Sequence, residues 1–208
     1  DSANLNEWRM DGRTLNGTHY YPGAIPDDIS QLEVRSYAAG ASTQDMSIAD
    51  GYLWAAPLRL GLVKLNATNV SQLIDEGADH DLFRTLVSPV WDNFVYAGSE
   101  SGAIYQYNTS NLSHIIATNT LSNAQHYSSP IVYERYVYFT DWHGTGGNFI
   151  YQANASNVSQ IINSFSFSSC KNAPIIYMGY LYHGCGSTFL QLNATNVSIE
   201  IARYSAGG

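Results

Sequence analysis

The sequence predicts an all-β fold of about four copies of one four-stranded antiparallel unit, arranged as the blades of a propeller. Three observations carry that expectation. A ten-residue stretch, Leu65-Asn66-Ala67-Thr68-Asn69-Val70-Ser71-Gln72-Leu73-Ile74, returns at 107–116, 153–162 and 192–201, each time as an Asn/Thr/Ser turn between two short apolar segments. Such self-similarity marks an array of one supersecondary unit. The serine of the motif falls at Ser30, Ser71, Ser113, Ser159 and Ser198, in steps of 41, 42, 46 and 39 residues. A period near 40 with several strands per repeat fits a propeller blade and not a helical solenoid. Finally, only 12% of residues are charged, while 16 are tyrosine, a composition that suits pleated, half-buried strands.

The chain divides accordingly. Residues 1–35 read as irregular, punctuated by Asn16-Gly17, Tyr21-Pro22-Gly23 and Ile25-Pro26-Asp27-Asp28, all turn signals. An eroded copy of the motif at 28–34 opens a spare strand over 31–37. The blades follow at about 38–78, 79–119, 120–164 and 165–208, on the period of their repeat. The second reads Ser88-Pro89-Val90-Trp91, a turn at Asp92-Asn93, strands over 94–98 and 103–107, the Asn turn, and a last strand over 112–117. The third repeats this with strands over 131–133, 136–139, 149–152 and 158–162, and carries an insertion at Gly144-Thr145-Gly146-Gly147. The fourth has strands over 175–177, 180–182, 188–192 and 197–202, and the first is the most diverged.

Charge excludes some partners. A net charge of −8 with two lysines, Lys64 and Lys171, is the wrong balance for a phosphate backbone, so nucleic acid is excluded as the default partner. No apolar run reaches the roughly 18 residues of a membrane helix. The chain opens Asp1-Ser2-Ala3-Asn4 without the charged-then-apolar pattern of a signal peptide. An exported protein would therefore be present here in processed form.

Ser129-Pro130-Ile131-Val132, Val137-Tyr138, a Gly turn, a Tyr-rich strand and Asn154-Ala155-Ser156-Asn157 together resemble the repeat of PQQ-like β-propellers. Trp8-Arg9-Met10-Asp11-Gly12 and Thr18-His19-Tyr20-Tyr21-Pro22-Gly23 resemble the usual start of such proteins. The resemblance covers essentially the whole chain. It implies the propeller fold, in a family containing quinoprotein alcohol dehydrogenases and non-enzymatic relatives such as BamB, and one fold hosts unrelated activities. Family propellers have more blades than four, so the chain is either a small closed ring or a partial ring of a larger propeller. An open arc would leave apolar blade faces seeking partners.

The same resemblance does not deliver an enzyme. Dehydrogenases of the family bring a carboxylate base, a Ca²⁺ site, a vicinal cysteine pair and blade ends with Thr-Gly-x-x-x-Trp. The matching ends here are Ser71-Gln72-Leu73-Ile74 and Ser159-Gln160-Ile161-Ile162, so no catalytic residue carries over by position. PQQ and Ca²⁺ are expected only under the alternative of an alcohol-type dehydrogenase; otherwise no cofactor or metal is expected.

Sequons occur at Asn16, Asn66, Asn69, Asn108, Asn111, Asn154, Asn157, Asn193 and Asn196. Asn, Ser and Thr suit a hairpin turn without any sugar, because their side chains bond local backbone and Asn tolerates positive φ. That explains less well why eight of the nine form doublets, one per blade. On an exported protein each would be a glycan acceptor.

Cys170 and Cys185 flank the first hairpin of the fourth blade with a midpoint between Tyr177 and Met178. Equidistant residues of a hairpin face each other near disulfide reach, so a bridge is expected in preference to two free thiols.

Asp141, Trp142 and His143 form a possible ligand loop, although a solvated histidine is the plainer reading. The acidic run Asp75-Glu76-Gly77-Ala78-Asp79-His80-Asp81 lacks calcium-loop spacing and reads as a solvated connection. The paired tyrosines (Tyr133, Tyr136, Tyr138, Tyr177, Tyr180, Tyr182) either stack on sugar or pack between blades with hydroxyls at the rim. The balance falls against an enzyme. The expected function is a secreted or cell-surface, N-glycosylated propeller scaffold that contacts copies of itself or other surface proteins; a carbohydrate-binding propeller is a further alternative.

Overall fold

The computed structural model describes residues 43–57, 61–77, 86–87, 90–99, 102–121, 128–141, 148–167 and 173–206. These residues form four four-stranded antiparallel sheets and no helix. Blade 1 comprises β1 (Thr43–Ala49), β2 (Tyr52–Pro57), β3 (Val63–Asn66) and β4 (Asn69–Glu76). Blade 2 comprises β5 (Leu86–Val87), β6 (Phe94–Gly98), β7 (Ala103–Asn108) and β8 (Asn111–Thr120). Blade 3 comprises β9 (Ile131–Tyr133), β10 (Tyr136–Thr140), β11 (Asn148–Asn154) and β12 (Asn157–Phe167). Blade 4 comprises β13 (Ile175–Tyr177), β14 (Tyr180–Cys185), β15 (Thr188–Asn193) and β16 (Asn196–Ser205). Each sheet is a simple meander in chain order. The outer strands β8, β12 and β16 run farther than the apolar pattern marked; beyond the motif β8 and β12 alternate half-buried and exposed residues, while β16 is exposed throughout.

Two kinds of hairpin build every blade. The first closes through left-handed residues: Asp50 and Gly51 at φ 54° and 77°, Met178 and Gly179 at 49° and 78°. Those pairs are the values of a type I′ turn, whose twist matches the flanking strands. Asp92 and Glu134 take the same φ at the corresponding points of blades 2 and 3. The second hairpin is the repeated Asn motif, and none of its asparagines has positive φ. Of the two expected reasons for Asn there, tolerance of positive φ is corrected, while local hydrogen bonding by its side chain holds.

Neighbouring blades pack face to face in sequence order, β4 against β8, β8 against β12 and β12 against β16. Three clusters fill the interfaces. Trp54, Leu62, Val95, Tyr107 and Leu112 join blades 1 and 2. Tyr96, Ile104, Val137, Ala155 and Val158 join blades 2 and 3. Ile131, Tyr138, Ile150, Leu192, Ala194 and Val197 join blades 3 and 4. Among the described residues the row stays open between blade 4 and blade 1. The spare strand expected over 31–37 lies outside the described residues.

Candidate functional site: the interblade joint

The repeated motif is a joint between blades. In every copy the two asparagines pair across the hairpin, Asn66↔Asn69, Asn108↔Asn111, Asn154↔Asn157 and Asn193↔Asn196. The next three residues then leave the ladder, which resumes only at Leu65↔Leu73, Tyr107↔Ile115, Ala153↔Ile161 and Leu192↔Glu200. Such an interruption re-aims a side chain and frees backbone groups. The freed residue is Val70, Leu112, Val158 or Val197, and the last three are fully buried against the preceding blade.

Both asparagines of each doublet hold the turn's shape. Asn154 Oδ1 accepts from Ser156 N at 2.9 Å and Ser156 Oγ at 2.8 Å. Asn157 Oδ1 accepts from Ser159 N at 3.1 Å and Ser159 Oγ at 2.6 Å. The same pairs recur at Asn66/Thr68, Asn69/Ser71, Asn108/Ser110, Asn111/Ser113, Asn193/Thr195 and Asn196/Ser198. These are Asx turns, so the spacing Asn-x-Ser/Thr has a structural cause independent of any sugar. The residue between the asparagines donates its N–H to the first hairpin of its own blade: Ala155 to Arg135 O at 2.9 Å, Ala194 to Gly179 O at 2.9 Å.

Its carbonyl goes to the preceding blade. Gln106 Nε2 donates to Ala155 O at 3.1 Å, and Gln106 Oε1 accepts from Val158 N at 3.1 Å. Tyr96 hydroxyl donates to the same carbonyl. One blade later Gln152 Nε2 donates to Ala194 O at 3.2 Å and Thr195 O at 3.0 Å, Gln152 Oε1 accepts from Val197 N at 3.3 Å, and Tyr138 hydroxyl donates to Ala194 O. Burial pushes both tyrosine hydroxyls far above the ordinary phenol range, with Asp92 adding to the effect at Tyr96. They stay protonated donors. A buried carbonyl or N–H left alone costs about 1–3 kcal/mol, so this Tyr–Gln clamp decides how firmly adjacent blades hold.

Blade 1 makes the same joint with different chemistry. Lys64 Nζ donates to Thr109 O at 2.8 Å, and Asp75 Oδ2 accepts from Leu112 N at 2.8 Å. Lys64 also lies 4.0 Å from the Tyr52 ring centroid and 5.0 Å from that of Trp54, a cation–π arrangement. Burial lowers the Lys64 ammonium below the usual lysine range, opposed by Asp75 and Asp50. Asp75 is thus a joint residue; the reading of its acidic run as a solvated connection is corrected at this position, and 78–81 lie outside the described residues. Gly77 completes the fit, since a Cβ there would meet Leu112 O at 3.0 Å.

The remaining expected site residues fall as follows. Asp141 is buried, accepting from Phe149 N at 2.6 Å through Oδ1 and from Tyr151 hydroxyl at 3.0 Å through Oδ2, so it closes its own hairpin. Trp142, His143 and Asn16 lie outside the described residues, as does Cys170. Cys185 is buried at the end of β14. The β13–β14 ladder pairs Ile175↔Tyr182 and Tyr177↔Tyr180, so its turn centres on Met178-Gly179. That is one residue beyond the expected midpoint. Tyr136 and Tyr138 pack between blades, while Tyr177 and Tyr180 on blade 4 are exposed. Reading the sequence missed the clamp, although its signal is present: Lys64, Gln106, Gln152 and Gln191 each stand two residues before the first asparagine of their turn. Among the described residues no group of three His, Cys, Asp or Glu is placed to hold a metal ion.

No family model matches the chain, and no curated protein does. Solved structures do. A quinohemoprotein alcohol dehydrogenase from Comamonas testosteroni superposes with a TM-score of 0.74 at 10% identity, over 98% of this chain and 42% of that one. BamB from Moraxella catarrhalis gives 0.57 at 11% identity, over 76% and 48%. A chain of a mitotic checkpoint complex gives 0.60 at 14% identity, over 76% and 48%. Likeness at these identities is a likeness of fold: the four sheets stand as blades of a β-propeller, and the chain spans less than half the length of these structures.

Proposed function

We propose that the chain is a non-catalytic propeller scaffold that works through protein contacts, borne outside the cell, glycosylated on its Asn turns and assembling with copies of itself. One observation carries the reading. Blade 4 shows an apolar face where its siblings are covered: Ile131 is 3% exposed but its counterpart Ile175 is 49%, and Ile150 is 0% exposed but its counterpart Phe189 is 57%. Tyr177, Tyr180 and Tyr204 extend the same face. Contiguous exposed apolar surface of this kind marks an interaction site.

Two further features support the setting. The sequon doublets stand on ordered turns whose Thr or Ser positions are exposed at Thr68, Ser110, Ser156 and Thr195. Cys185 carries no free thiol, and we assign its bridge to Cys170, as an oxidising compartment allows. Light scattering of native material across a concentration series, with intact mass before and after deglycosylation, tests the reading. Assemblies and a glycan mass loss are expected. A glycan-free monomer at every concentration overturns it.

A further inference from the structure

We propose that the open face of blade 4 is a socket for the Asn66–Val70 turn of blade 1 in a second copy of this chain, a head-to-tail joint of the kind already made three times inside the molecule. The inference rests on the scaffold reading above and names its partner and contact.

The socket is built. Tyr182 and Gln191 pair across β14 and β15 and occupy the positions that Tyr138 and Gln152 hold in blade 3. With no following turn to grip, Gln191 Nε2 donates to Tyr182 hydroxyl at 3.2 Å. The interior glutamines instead spend that amide on the next blade's Ala carbonyl. Ile175, Tyr177, Tyr180 and Phe189 surround the pair with exposed apolar surface.

The plug is equally built. The blade 1 turn has the same Asx geometry as the others. Yet Ala67 and Val70 remain half-buried where Ala155, Ala194, Leu112, Val158 and Val197 are fully buried. No side chain of another blade reaches Ala67 O or Val70 N among the described residues. Among the described residues the chain therefore carries one open clamp and one undocked turn of a single joint type, at opposite ends of a four-blade row. A second copy supplies both complements, and a heterologous contact of this sort closes a ring or extends a filament. The docked groups are turn backbone and the small apolar Ala and Val side chains, so the asparagine side chains stay on the outside of the joint.

The test uses the full chain with photoreactive benzoylphenylalanine in place of Phe189, analysed by mass spectrometry after illumination, beside sedimentation of Gln191→Ala and Val70→Asp. The joint predicts a cross-link to the 66–71 peptide in a species of at least twice the chain mass. It also predicts that each substitution weakens association by about tenfold or more, as central interface residues do. The same cross-link confined to the single-chain mass overturns the second copy in favour of a closed four-blade ring. Oligomers that cross-link elsewhere and ignore Gln191→Ala overturn the joint while leaving the scaffold reading standing. A monomer without cross-links at all concentrations overturns the joint and removes self-assembly from that reading.

Discussion

Lys64 and Asp75 face each other in the register of β3 and β4, and together they do for blade 1 what a single glutamine does for blades 2 and 3. The ammonium takes the donor role of the amide nitrogen, toward Thr109 O. The carboxylate takes the acceptor role of the amide oxygen, toward Leu112 N. A charged pair and a neutral amide are thus interchangeable at one joint.

That interchange is testable by substitution. Lys64→Gln restores the donor type found in blades 2 and 3 and is expected to cost less than about 1 kcal/mol, in line with a change that keeps partners satisfied. Lys64→Met keeps the length but strands Thr109 O, which Lys64→Gln does not, so a further loss of roughly 1–3 kcal/mol is expected for it. Urea unfolding monitored by tryptophan fluorescence measures both. Equal losses would show that the donor does not matter.

Gln152 and Gln191 are the same residue in consecutive blades, one docked and one open. Gln152→Ala strands Val197 N and takes the amide donor from Thr195 O, while Ala194 O keeps the Tyr138 hydroxyl, and it should cost roughly 2–4 kcal/mol. Gln191→Ala in the monomer removes only a bond to Tyr182 and should stay within about 0.5 kcal/mol, the range of ordinary surface changes. Stabilities measured at a concentration low enough to suppress association decide it. A larger loss at Gln191 contradicts the assignment of the open clamp.

Packing at the first joint is tight at Gly77, where the added methyl of Gly77→Ala would press on Leu112 O at 3.0 Å. Backbone cannot swing aside as a side chain can, so an overpacking cost of about 1–3 kcal/mol is expected. Circular dichroism melts of this variant against wild type check the value; an unchanged midpoint would mean that the blades separate freely there.

His183 predicts a pH dependence. It is buried against the Phe167 ring, 4.6 Å between centroids, and neither ring nitrogen has a hydrogen-bond partner. Burial pulls its pKa down to about 4 from 6.5. Above pH 6.5 both folded and unfolded chains hold it neutral, so its contribution is complete. As pH falls toward 4 the unfolded chain takes up a proton that the folded chain refuses, and stability drops by up to roughly 3 kcal/mol. His183→Phe should remove that part of the loss between pH 7 and pH 4.5 in denaturant titrations. Parallel curves for both proteins would contradict it.

The architecture was legible because it rests on side-chain patterns: the 39- to 46-residue steps of the motif and the alternating Tyr/Ile/Val strands are visible in the letters. The joint was not, because its acceptors and donors are the carbonyls of Ala155 and Ala194 and the amides of Val158 and Val197, and backbone groups leave no mark in a sequence. Of the two reasons for asparagine in the turn, local side-chain bonding is the one the structure uses, and the left-handed conformation belongs to Asp50, Asp92, Glu134 and Met178. The hairpin midpoint lies one residue beyond the expected one because the turn sits on Met178-Gly179, where the glycine fits the left-handed position.

The central claim is that the residue after each second asparagine is held by the blade before it. Amide hydrogen exchange reads this directly, because Val158 and Val197 lie outside the β-ladder yet donate to Gln106 and Gln152, while Val70 has no preceding blade among the described residues. In the monomer, Val158 and Val197 amides should be protected within the range of the flanking strand amides, Val70 should exchange as an exposed turn does, and Gln106→Ala should release Val158 alone. Exchange at Val158 and Val197 as fast as at Val70 would contradict the account.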